Sequence, residues 1–474
     1  MFFERIYEKG LAQASYFIGC QATKEAIVID PKRDIDTYLQ IAERENLRIT
    51  HITETHIHAD FLSGSLELAN ATGANIYLSD AGGLDWQYQF DHIGLNDGDS
   101  IKVGNLIFKV FHSPGHTPEH VSFILTDTPA SSEPVMIFTG DFVFVGDVGR
   151  PDLLEKAAGI EGTMISGAKQ LFHSLKKFKS LPDHLQVWPA HGAGSTCGKA
   201  LGAVPGSTVG YEKLSNWALK INDEEKFIQE LLDGQPEPPK YFAMMKKLNK
   251  IGPKILGSLD HPVKLNSEEF KNVLDKDYQL VDTRDKLSFS GGHVRGSLNI
   301  QDNNSFSTWA GWMLNYTKPI ILIAPDHRID FLKRALQRIG LDNLAGYISD
   351  IEKLEASGFK MEILNQVSVE DLNNDLVPCR IIDVRSYTEF NLAHIPDSIN
   401  IHTGYLENNL DKFSTAERIV VYCTSGDRSA IASSFLLRNG YKNVFNLTGG
   451  INSWIQSGGK TEKYIQEESI NLYN

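Results

Sequence analysis

The chain has 474 residues, enough for roughly three domains at about 150 residues each, and its 41% hydrophobic content is ordinary for packed globular domains. Its 46 Lys and Arg against 60 Asp and Glu give a net charge of −14, which argues against a nucleic acid or an anionic membrane surface as the main partner. Four cysteines, Cys20, Cys197, Cys379 and Cys423, are too few for a disulfide scaffold and too scattered for a structural zinc site, which leaves reactive thiols as the better use for some of them.

Met1 to Tyr7 holds no basic stretch followed by an apolar one, and no run of 18 apolar residues occurs later; the expectation is a soluble cytoplasmic protein with no membrane partner. From residue 1 to 240, β-like runs (Glu25 to Asp30, Ala74 to Leu78, Val135 to Thr139) alternate with helix-like stretches such as Ile35 to Glu45, the pattern of a mixed α/β domain. The strand-like run Arg48 to Ile52 leads into a loop with His56, His58 and Asp60. Ser113-Pro114-Gly115-His116-Thr117, Phe138-Thr139-Gly140-Asp141 and Trp188-Pro189-Ala190-His191-Gly192 place further imidazoles and a carboxylate at strand ends. Clusters of this kind build metal sites.

The order H-x-H-x-D, then H, then D, then H resembles the metallo-β-lactamase fold, which implies an αββα sandwich over 1–240. Hydrolases of the glyoxalase II type in that superfamily continue H-x-H-x-D-H and use the last histidine for a second metal; Phe61 stands there and cannot ligate. The run Thr55 to Asp60, together with Gly149-Arg150-Pro151-Asp152, is most similar to the persulfide dioxygenase branch. That resemblance implies one non-heme Fe(II) per chain on His56, His116 and Asp141, since two imidazoles and a carboxylate leave positions for substrate and O2. His58, Asp60 and His191 are then expected to orient ligands or substrate, though Asp60, Asp141 and His191 could hold a weak second ion. Arg150 either holds the carboxylate of a small thiol carrier such as glutathione or forms a structural salt bridge. Cys197, six residues past His191 in a glycine-rich loop, is expected to accept sulfane sulfur near the iron, because flexible polar loops rarely host inert thiols. Cys20, at the end of an apolar strand, reads as core.

Gln235-Pro236-Glu237-Pro238-Pro239 interrupts helix on both sides, and residues 241–262 are read as a linker. Beyond it the chain repeats itself: Asp383, His394 and Asn400 each lie 101 positions after Asp282, His293 and Asn299. Two copies of one α/β domain with a parallel sheet are therefore expected, at 263–360 and 361–474. In the second, the buried-strand pattern Glu417 to Tyr422 delivers Cys423 into the loop Cys423-Thr424-Ser425-Gly426-Asp427-Arg428, ahead of a helix over Ser429 to Arg438. Converging backbone N–H groups and a helix N-terminus favour the thiolate form of a cysteine so placed.

This C-x-x-G-x-R loop, with Asp383-x-Arg385, His394-Ile395-Pro396 and Gly449-Gly450-Ile451-x-x-Trp454, resembles the rhodanese (sulfurtransferase) domain. The resemblance implies that Cys423 carries a persulfide, that Arg428 holds an anionic sulfur donor or acceptor such as sulfite or thiosulfate, and that Ser425 and Gly426 line its site. The first copy has Ala324 where the thiol should be and a loop one residue shorter, so it reads as a pseudo-rhodanese with a structural or docking role, His327 facing solvent. Cys379 reads as inert.

The whole chain is thus similar to the persulfide dioxygenase–rhodanese fusions of sulfide detoxification, with a thiol persulfide and O2 as substrates, sulfite or thiosulfate as products, and a homo-oligomeric state implied. A zinc-dependent thioester hydrolase with an appended sulfurtransferase, and a sulfur-sensing scaffold in which only the rhodanese turns over, are the alternatives.

Overall fold

The computed structural model describes residues 1–463 except 154, 156–161, 196, 200, 258–260, 275, 375 and 376. It forms two compact units, Met1–Asp260 with Arg334–Leu341, and His261–Lys333 with Asp342–Asn474.

The first unit is an αββα sandwich of two six-stranded sheets. One runs in sequence order from β1 to β6 (Phe2–Glu8, Gln13–Cys20, Glu25–Ile29, Arg48–Thr53, Asn75–Ser79, Ile93–Leu95), and the other from β7 to β12 (Ser100–Val103, Leu106–His112, Val121–Asp127, Met136–Gly140, Gln186–Pro189, Ser207–Thr208). The side-chain period of two explains the layering. In β2 every residue is buried: Ala14, Tyr16, Ile18 and Cys20 face the core between the sheets, while Phe17 faces the outer layer with Tyr38 and Ile41 of helix Asp36–Arg44. In β10, Phe138 faces the inter-sheet core and Ile137 the opposite layer, beside Leu171, Leu175 and Phe178 of helix Thr163–Phe178. Runs buried on both faces read as continuous apolar strands, which is why Val135 to Thr139 was legible.

Residues 241–262, expected to be a linker, include helix Tyr241–Ile251, with Tyr241, Phe242, Met245 and Asn249 buried. The proline run hid it, because a break before a helix reads like a break between domains. Asn249 is structural: its amide donates to the carbonyls of His58 and Phe61 at 2.8 Å each, and it accepts from Ser63 N at 2.9 Å. In the same unit Arg338 donates to Asp34 at 2.8 and 2.7 Å and to Glu8 at 2.6 Å.

The second unit contains the sheets of both repeats. Parallel strands order as Leu298–Asn299, Gln279–Asp282, Ile320–Ile323, Leu344–Ile348 in the first copy. In the second the order is Asn365–Val367, Val444–Leu447, Ile419–Tyr422, Arg380–Asp383, Ile399–Asn400. The internal repeat holds at the level of single bonds. Arg284 binds Asp282 and the carbonyl of Gly292, as Arg385 binds Asp383 and the carbonyl of Ala393. Phe289 stacks on His293 at 3.9 Å and Phe390 on His394 at 3.8 Å. These shared residues build the strand-to-helix corner of each copy, so their persistence without the cysteine reflects scaffold and not chemistry.

Candidate metal centre and thiol loop

Four strand ends converge in the first unit. The loop after β4 carries His56, His58 and Asp60, the turn after β8 carries His116, and Asp141 and His191 follow β10 and β11. All six are buried. Donor atoms of His56, His116 and Asp141 lie within 4.8 Å of one another, and a second group within the same limit comprises Asp60, His191 and Cys197.

Each ring is fixed through its far nitrogen. His116 Nδ1 donates to the carbonyl of Arg150 at 2.8 Å, His191 Nδ1 donates to the carbonyl of Ala12 at 3.0 Å, and His56 Nδ1 pairs with Thr55 Oγ1 at 3.0 Å. This leaves Nε2 of His116 and His191 turned inward, His116 Nε2 lying 3.5 Å from Asp141 Oδ2. His191 Nε2 is 3.3 Å from Asp141 Oδ1 and 3.4 Å from Asp60 Oδ2, yet among the described residues none of these three atoms completes a hydrogen bond, nor does the other Asp141 oxygen. Buried carboxylate oxygens without donors are costly unless a cation meets them. The residues therefore fit a metal ion.

The titration of the site agrees. Burial holds His56 well below the usual histidine range and His116 down at about 4, so both are neutral ligands at pH 7. Burial opposes ionisation of Asp141, but the charge on His191 outweighs it and holds the carboxyl far below the ordinary value. His58 behaves otherwise: burial lowers it, but Asp30, Asp60 and Glu54 outweigh burial and raise it to about 9. Its Nε2 pairs with Asp30 Oδ1 at 3.1 Å, and Phe61, wholly buried, packs its ring 4.4 Å away. His58 is thus held on Asp30, with the apolar ring of Phe61 against it.

Arg150 and Cys197 both lie inside the fold. Arg150 is 0% exposed, and its Nε and Nη2 donate to Asp152 at 2.7 Å each, the salt bridge that was one of the two readings of this residue. Cys197 is 2% exposed, and burial raises its thiol to about 12, while Ala193 and Gly194 at the tip of the same loop are exposed.

Sequence reasoning missed His120, whose Nε2 accepts from Asp141 N at 3.0 Å while its Nδ1 pairs with Ser113 Oγ at 2.9 Å. Its place four residues after His116 was the available signal. Missed also was Asp30, which accepts from Thr55 N at 2.7 Å and Thr55 Oγ1 at 3.0 Å; nothing local marks a residue 25 positions upstream.

In the second unit, strand Ile419–Tyr422 ends at Cys423, 1% exposed, and helix Asp427–Arg438 follows. Gly426 N donates to Cys423 Sγ at 3.1 Å, and Ser429 Oγ reaches it at 3.5 Å while also donating to Asn446 Oδ1 at 2.6 Å. Gly426 has φ +100°, a conformation that favours glycine. Gly450 lies so close that a Cβ there would sit 2.3 Å from the Cys423 carbonyl, which explains the double glycine. Ser425 is exposed. Arg428 Nη1 and Nη2 donate to Glu389 at 2.6 and 2.7 Å, and Nη2 donates to Thr424 Oγ1 at 2.7 Å. It braces the loop. In the first copy Ala324 is buried and His327 exposed. Cys20 is buried in the inter-sheet core.

Residues 9–191 match the family model of the metallo-beta-lactamase superfamily, and residues 266–355 and 368–457 each match that of the rhodanese-like domain. A metallo-beta-lactamase of solved structure from Staphylococcus aureus subsp. aureus COL is 46% identical, with a TM-score of 0.69, covering 74% of this chain and 99% of its own. A mitochondrial persulfide dioxygenase from Homo sapiens is 31% identical over 190 residues, 40% of this chain and 66% of that protein. A hydroxyacylglutathione hydrolase from Rhodospirillum rubrum is 32% identical over 176 residues, 37% of this chain and 60% of the hydrolase. The chain thus spans about two thirds of the length of each of these last two. Among the described residues no helix is long and apolar enough to cross a membrane.

Proposed function

The chain belongs to the metallo-β-lactamase superfamily and carries two tandem rhodanese-like domains behind that fold, and from this premise we propose that it is a non-heme iron persulfide dioxygenase coupled to a sulfurtransferase. The observation that carries the reading is the donor set itself: two neutral imidazoles, His56 and His116, and one ionised carboxylate, Asp141, with Phe61 where a further ligand would stand. Fe(II) held by these three residues would supply the redox chemistry by which O2 oxidises a persulfide sulfur.

The residues of the chain do the rest. His120 and the carbonyls of Arg150 and Ala12 hold the donors in place. The net change is thiol persulfide, O2 and one water to thiol, sulfite and two protons. In the rhodanese copy the Gly426 amide holds charge on Cys423 Sγ. A persulfide on that sulfur, attacked by sulfite at its outer sulfur, yields thiosulfate and returns the thiol. The cytoplasm and sulfide detoxification are the setting this chemistry suits.

Two separate sites predict separable losses. His116→Ala removes persulfide-dependent O2 uptake and leaves thiosulfate:cyanide transfer intact, whereas Cys423→Ser does the reverse; loss of both activities in either still-folded variant overturns the reading. A second reading, a zinc-dependent thioester hydrolase, draws on the group Asp60, His191 and Cys197 as donors for another ion. Oxygen electrode and metal analysis on the same iron-reconstituted sample separate the two: about one iron per chain with O2 uptake supports the dioxygenase, and two zinc ions with thioester cleavage and no uptake support the hydrolase.

A further inference from the structure

The first repeat lacks a thiol, but it touches the thiol of its twin. Lys286 opens the short helix Lys286–Gly291, and its Nζ donates to the carbonyl of Ser425 at 2.7 Å and to Asp427 Oδ1 at 2.6 Å. Both acceptors belong to the loop around Cys423. The same lysine stands 3.4 Å from where a Gly426 Cβ would be, and one helical turn further Phe289 joins the hydrophobic cluster that contains Cys423.

The peptide between Ser425 and Gly426 links these contacts. A trans peptide is planar, so its C=O and N–H point in opposite directions. Here the C=O of residue 425 faces Lys286 Nζ, and the N–H of residue 426 faces Cys423 Sγ at 3.1 Å. A cation on the oxygen both fixes the plane and polarises the N–H that serves the sulfur. The left-handed Gly426 offers little stiffness of its own, so the outside grip has a job to do. The lysine is not part of the scaffold that the copies share: the position 101 residues on is Tyr387.

We propose that Lys286 of the cysteine-less repeat is a positioning residue for sulfur transfer at Cys423, holding the Ser425–Gly426 peptide so that its amide meets the reacting sulfur. The inference rests on the reading of Cys423 as the sulfur carrier. It gives the pseudo-rhodanese copy a task in the reaction: its helix completes the wall of a loop that the active copy leaves open on one side.

The test uses the full-length chain with three readouts: thiosulfate:cyanide transfer, the pH dependence of iodoacetamide alkylation at the Cys423 peptide followed by mass spectrometry, and the thermal midpoint. Lys286→Met is expected to slow transfer about tenfold, the effect of one well-placed hydrogen bond to a charged group, and to move the alkylation midpoint up by about one pH unit. The thermal midpoint should hold, and Lys286→Arg should restore most of the rate. Unchanged transfer and an unchanged pH profile in Lys286→Met overturn the proposal. So does an effect of Lys286→Met that vanishes in an Asp427→Asn background, since that assigns the lysine to neutralising Asp427 and not to the peptide. Residual transfer in Cys423→Ser overturns the reading of Cys423 itself, independently of Lys286.

Discussion

His120 shows how little of a metal centre is its ligands. It accepts the backbone N–H of Asp141, and burial keeps its ring neutral, well below the ordinary histidine range, so that its lone pair is always available. The turn needs a glycine as well: Gly140 has φ +51°, and a Cβ there would meet Thr55 Oγ1 at 2.6 Å and His120 Nε2 at 2.7 Å. His120→Gln should therefore leave the chain folded but weaken metal binding by roughly 10- to 100-fold, the usual effect of losing a group that orients a ligand. Competition with a chelator, read by metal content, measures this, and retained affinity would reduce His120 to packing. The motif residues His56, His116 and Asp141 were legible because strand-end spacing is local. Asp30 and the carbonyl of Ala12 were not, because only folding brings them to the site.

At the scale of elements, Glu389 ties helix to loop. Its side chain and that of Ser386 form a capping box at the start of helix Tyr387–Leu392, and the same carboxylate takes both nitrogens of Arg428. Burial opposes its ionisation, but the bonds from Arg428 outweigh burial and lower it to about 2. The sign follows: a carboxylate depressed in the folded state stabilises fully above its unfolded value of about 4.3 and loses that contribution as the pH falls toward about 2. Glu389→Gln should cost about 1 kcal/mol at pH 7, discounted for partial exposure. Urea midpoints of parent and variant should differ at pH 7 and converge only below about pH 2; a gap that persists there would place the stabilisation in packing instead. The sequence offered the loop arginine but not its partner, and a substrate role was the natural expectation for an arginine beside a thiol. Helix Tyr241–Ile251 teaches the converse, since a proline run before it resembled a boundary while Asn249 was in fact pinning the metal loop.

Within the second unit as a whole, the two copies are joined by aromatic contact as well as by Lys286. Trp312 of the first lies 4.9 Å from His402 and 5.3 Å from Tyr405 of the second, ring to ring. A Cβ on Gly404 would fall 2.1 Å from its Cε3. Gly404→Ala should therefore overpack this contact, costing about 1–3 kcal/mol. Thiosulfate:cyanide transfer and the midpoint of the second unit should both drop, while persulfide-dependent O2 uptake stays. Loss of O2 uptake in parallel would contradict the separation of the two chemistries.

The sequence by itself determined the domain families and the candidate residues: the strand-end H-x-H-x-D pattern and the thiol loop are short-range signals, because strand, turn and side chain succeed one another within a few residues, and the 101-residue repeat shows in the order of residues alone. Tertiary structure alone decided which polar groups are spent inside the chain. Arg150 meets Asp152, Arg428 meets Glu389, Cys197 is sealed, and Lys286 crosses to the other repeat. The physical reason is that a buried charge takes the nearest compensating partner, and that partner is chosen by distance in space, which the order of residues does not state.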